Sequence, residues 1–207
     1  VKKLGFAVLF LSLAGALAVV PAYANTFNLY SSGALNGNNT NSPEIDGSNA
    51  VTNLFTDSIT GTATGATFVV WLDQGLSLSS IDWSLGTTSY GSQLGSGVAS
   101  PTAVVDIVNN SFGAEVVTET ITLPNISLIV GDQYYFSLTG ASGTDVSTDG
   151  AYWDENNGTS SGNSTAEGVV GGETFALTSP TPEPSSLLLL GSGLVGLAGL
   201  LKRKLTA

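Results

Sequence analysis

Val116-Val117-Thr118-Glu119-Thr120-Ile121-Thr122-Leu123-Pro124-Asn125, followed shortly by Gly131-Asp132-Gln133-Tyr134-Tyr135-Phe136-Ser137-Leu138, is the passage on which the fold turns. In its first half Thr118, Thr120 and Thr122 alternate with Val117, Ile121 and Leu123, the period-two pattern of a half-buried strand. Glu119 is the exception, a carboxylate on the apolar side. Pro124-Asn125 would end this strand and Gly131-Asp132 would open the next, so the passage predicts two neighbouring antiparallel strands.

Working outward, further β runs bounded by Gly, Pro or Asn fall at 26–30, 53–59, 66–73, 80–85, 102–108 and 174–178. Gly, Ser, Thr, Asn and Val dominate between them, which favours strands and turns over helices. No sustained 3.6-residue apolar period occurs. The expected fold is all-β, an antiparallel β-sandwich of jelly-roll type, occupying residues 25–179. A chain of that length buries about two-thirds of its unfolded surface. Polar patches at 36–41 and 156–164 are expected to be surface loops, and 178–184 a Pro-rich linker.

The charge distribution constrains function further. The 207-residue chain contains no Cys, Met or His and has a net charge of -11. Cys-ligated metal centres and thiolate nucleophiles are excluded, and so are the commonest general base and metal ligand. Lys2, Lys3, Lys202, Arg203 and Lys204 are the only basic residues, so everything between Leu4 and Leu201 is acidic or neutral. Such a surface repels nucleic acid and anionic lipid and tolerates cations and neutral sugars. Mutual repulsion among unpaired carboxylates would also raise their pKa values on folding.

The two ends read as addresses. Residues 1–24 combine Lys2-Lys3, an apolar run to Val20, the helix-breaking Pro21 and Ala22-Tyr23-Ala24. That is a signal peptide with Ala22 and Ala24 at the signal-peptidase site, giving a mature start at Asn25. Residues 180–207 contain Pro182-Glu183-Pro184, the apolar run Leu187 to Leu201, and Lys202-Arg203-Lys204. As a helix the run would be about 22 Å long, short against the ~30 Å hydrocarbon core of a membrane. The basic cluster would act as a cytoplasmic stop, leaving the tripeptide outside.

This tail resembles the PEP-CTERM family, the substrates of exosortase, over Pro182 to Lys204. The resemblance implies transient membrane anchoring by a C-terminal transmembrane helix, recognition at Pro182, Glu183 and Pro184, and release to the cell surface or medium. It also implies a producer that makes exopolysaccharide or biofilm matrix. Ala151-Tyr152-Trp153-Asp154-Glu155 and the later Gly171-Gly172-Glu173-Thr174-Phe175 are similar to the last strands of PEP-CTERM cargo domains and carry no activity with them.

Three candidate chemistries remain in the middle. Asp145, Asp149 and Asp154, with Glu155, Asn156 and Asn157, offer hard oxygens for Ca2+, although their spacing does not fit an EF-hand; the competing reading is a solvated acidic loop. Trp153 beside two acids is the best exposed aromatic for contact with a carbohydrate, whereas Trp71 and Trp83 lie in core-like runs. Paired carboxylates for glycoside hydrolysis, such as Asp73, Asp82, Glu115 and Glu119, are numerous and nothing singles one pair out. The expected role is therefore non-catalytic and needs no cofactor: a structural or adhesive surface protein, with a polysaccharide-binding module as the alternative.

Overall fold

Alternation of apolar and polar residues produces two antiparallel sheets in a computed structural model, which describes residues 26–35, 42–107, 113–144, 146, 150–156, 158–181 and 191. Thr26–Pro180 forms one unit. The first sheet runs β1 (Thr26–Ser31), β12 (Phe175–Pro180), β3 (Gly61–Asp73), β7 (Ala114–Leu128) and β6 (Thr102–Ile107). The second runs β11 (Gly168–Val170), β10 (Ser161–Ser164), β2 (Ala50–Thr56), β8 (Gln133–Thr144), β4 (Ser77–Gly86) and β5 (Gly95–Ala99). A short strand β9 (Ala151–Trp153) adds to β3. Among the described residues no helix is long and apolar enough to cross a membrane.

One side of each sheet faces a shared apolar core. Phe68, Val70 and Leu72 of β3 point there with Val117, Ile121 and Leu123 of β7 and Tyr134, Phe136 and Leu138 of β8. Phe175 is the hub of the core's rings. Its centroid lies 5.1 Å from Tyr30, 5.5 Å from Phe55, 5.3 Å from Phe136 and 5.9 Å from Trp153. These four partners come from strands of both sheets, so one side chain ties the layers together. The opposite side of the first sheet carries a small second cluster of Val69, Trp71, Ala114 and Val116, with Leu35 packed against it.

Several expectations need correction. The strand beginning near Val116 does not stop at Pro124 but continues to Leu128. Nor does it pair with the strand of Tyr134 and Phe136: β7 lies in the first sheet and β8 in the second. The link between them crosses the core edge through a turn in which Asp132 N–H donates to the Ile129 carbonyl, with Gly131 at φ 85°. Glycine accepts that left-handed conformation without the steric cost a Cβ would add. The patch at 156–164 is not all loop, since Ser161–Ser164 pairs with β2. Thr178–Pro180 belongs to β12 rather than to a linker.

Candidate functional site

Trp153 is fully buried, so it cannot stack on a sugar. Its indole N–H donates to the Thr174 carbonyl at 2.9 Å, and Phe68, Phe136 and Phe175 surround its ring. Asp154 is also fully buried. It accepts a hydrogen bond from Trp71 Nε1 at 2.8 Å and another from the Thr174 hydroxyl. Its backbone N–H donates to Val69 and its carbonyl accepts from Thr174 N–H. The carboxylate thus closes the joint where β9 and β12 meet end to end along β3. Burial raises its pKa, and the hydrogen bonds from Thr174 and Trp71 oppose that rise.

These contacts remove Asp154 from any exposed calcium loop. Asp145 and Asp149 lie outside the described residues, as do Ala22, Ala24, Pro182, Glu183, Pro184, Lys202, Arg203 and Lys204. Trp71 and Trp83 are buried, as their runs suggested, although Trp71 belongs to the second apolar cluster and not the shared core.

The outer side of the first sheet presents a threonine row. Backbone register places Thr102 beside Thr120, Thr120 beside Thr67, and Thr67 beside Ala176. Next to it a hollow of about 260 Å³ is bordered by Asn28, Leu35, Thr67, Asp106, Thr118 and Ala176. Thr118 donates to the Asp106 carboxylate, which fixes a hydroxyl and a charge at its rim. Hydroxyls, an amide, the Asp106 carboxylate and apolar Leu35 and Val69 line the hollow. Asp106 is the lone carboxylate in this lining, whereas glycoside hydrolysis uses a pair.

Other buried carboxylates lie elsewhere. Glu119 points into the core, 1% exposed, with both oxygens unpaired within the protein. Burial pushes its pKa up to about 7. Glu173 is fully buried with both oxygens unpaired, and its pKa is pushed up to about 10 by burial first and then by Glu155, Asp154 and Glu167. Glu155 forms a β-bridge with Glu173 and has one buried unpaired oxygen. For Asp57 and Glu44 as well, burial is the first cause of a raised pKa. The upward shifts therefore have the direction expected from the sequence, but desolvation comes before mutual repulsion.

Glu173 was not singled out by sequence reading. The signal was present in Gly171-Gly172-Glu173: two glycines beside an acid, ahead of a β run, in a stretch from residue 4 to 201 that has no Lys, Arg or His to pair it. Among the described residues no group of three or more acidic side chains is arranged to hold a metal.

No curated protein matches the chain. Residues 180–204 match the family model of the PEP-CTERM protein-sorting motif. The chain therefore carries the PEP-CTERM sorting signal that its tail resembles, which marks it as an exported protein handled by exosortase.

Proposed function

We propose that this chain is a non-catalytic structural or adhesive component of the cell surface or extracellular matrix, built on a jelly-roll-like sandwich. The observation that carries the reading is the sorting motif at 180–204, joined to an acidic two-sheet unit without a basic residue. Signal peptidase would act after Ala24, the short C-terminal helix would hold the protein briefly in the membrane, and exosortase would act at Pro182-Glu183-Pro184. Deleting the protein in the producing cells should weaken retention of matrix at the cell surface. An unchanged matrix would count against this role.

The hollow on the outer side of the first sheet favours a second reading, a module that holds extracellular polysaccharide. Trp153 has no part in it; Thr67, Thr118, Asn28 and Asp106 take its place. Co-sedimentation with the matrix polysaccharide should be saturable and should weaken at least several-fold in the Thr118→Val, Asp106→Ala double variant. Binding indifferent to both changes would exclude this face.

A further inference from the structure

Four buried oxygens without a partner among the described residues gather where β10, β11 and the segment before β12 meet: Glu155 Oε2, Ser160 Oγ and both carboxylate oxygens of Glu173. Buried polar groups are nearly always satisfied, and a local concentration of exceptions points to something outside the protein that completes them. The backbone makes room for these side chains. A Cβ on Gly171 would lie 2.0 Å from Glu155 Oε1, and one on Gly162 would meet the Gly171 carbonyl at 2.3 Å, with Glu173 Oε1 beyond it at 3.3 Å. A Cβ on Gly172 would lie 2.7 Å from Ser160 Oγ. Three glycines thus border one cluster of oxygens. A hollow of about 310 Å³ lined by Glu155, Glu167, Val169, Val170 and Gly171 adjoins the cluster at Glu155.

We propose that Glu155 and Glu173 bind a hard divalent cation, calcium by chemistry, with the Ser160 hydroxyl and solvent completing an oxygen shell. Calcium accepts six to eight oxygens from carboxylates, neutral groups and water, so two carboxylates suffice at an extracellular affinity. The charge balance favours a cation. Glu173 faces Glu155, Asp154 and Glu167, and no Lys, Arg or His between residues 4 and 201 is available to any of them. Only a proton or a cation from solution can neutralise the group. Glu119 is equally buried, but burial alone raises its pKa and no second carboxylate contributes, so the assignment does not extend there. The site differs from an exposed loop around Asp145 and Asp149, and it does not depend on the sorting or polysaccharide readings.

The test is calorimetric titration of the intact chain in mild detergent with CaCl2. Saturable binding is expected. Glu173→Gln should weaken it at least tenfold, while Glu119→Gln should bind like the parent. No saturable binding up to about 10 mM, beyond the weak extracellular sites, would overturn the proposal in favour of a proton-sharing acid pair. Parent-like binding by Glu173→Gln would also overturn it. If that variant fails to fold, melting of the parent decides: a rise with CaCl2 beyond that with NaCl at equal ionic strength supports the site, and equal effects refute it.

Discussion

Glu119→Gln should make the protein more stable at neutral and alkaline pH while leaving it almost unchanged in acid. The side chain sits opposite Phe68 across the β3–β7 ladder and points into the core, with no partner for either oxygen. Its pKa rises from 4.5 to about 7 because burial penalises the charged form. A raised carboxyl pKa means the folded state holds its proton more tightly than the unfolded chain. Stability from this group is therefore complete below pH 4.5, falls as pH rises, and levels off above about 7. At 1.36 kcal/mol per unit, the loss across that window is about 3 kcal/mol. Glutamine has nearly the same shape and never ionises, so it should escape that loss. Urea unfolding of parent and variant at about pH 4, 6 and 8 gives the difference directly, and other titrating acids cancel in the comparison. The two should agree at the lowest pH and separate by about 3 kcal/mol at the highest. Salt should not close the gap, since desolvation and not repulsion between exposed charges is the cause. Parallel stability curves, or a gap abolished by salt, would refute the reasoning.

Phe175→Ala removes the ring that joins Tyr30, Phe55, Phe136 and Trp153, and should cost about 3–5 kcal/mol in the same unfolding measurement. A loss under about 1 kcal/mol would mean that the core closes around the gap. The form processed at both ends should resist trypsin even when denatured, because its only Lys and Arg residues lie at 2–3 and 202–204. Internal tryptic fragments would show that at least one end persists.

The alternation of β7 was legible because each apolar side chain reports one buried side of a strand. Its partner was not, because that pattern is the same whether the next strand lies alongside in the same sheet or opposite across the core. Tyr134, Phe136 and Leu138 take the second position. The strands Ser161–Ser164 and Gly95–Ala99 were missed for another reason. Ser-Gly-Asn-Ser has no apolar alternation, and its place is set by backbone pairing with β2. Trp153 seemed exposed because charged neighbours usually are. Asp154 departs from that rule only through Trp71, 83 residues away, and Thr174, 20 away. Such long-range donors leave no local trace in a sequence. The sorting tail was readable because its signal is contiguous, unlike a folded site.

The claim that exosortase sorting governs this protein is tested most directly by the intact mass of the cell-surface or released form. The comparison is with a variant in which Pro182, Glu183 and Pro184 are all alanine. The parent should yield a mature species beginning at Asn25 and lacking Lys202-Arg203-Lys204. The variant should remain a membrane-bound precursor that still carries this basic tail. Release of the variant at the same mass as the parent would contradict the account.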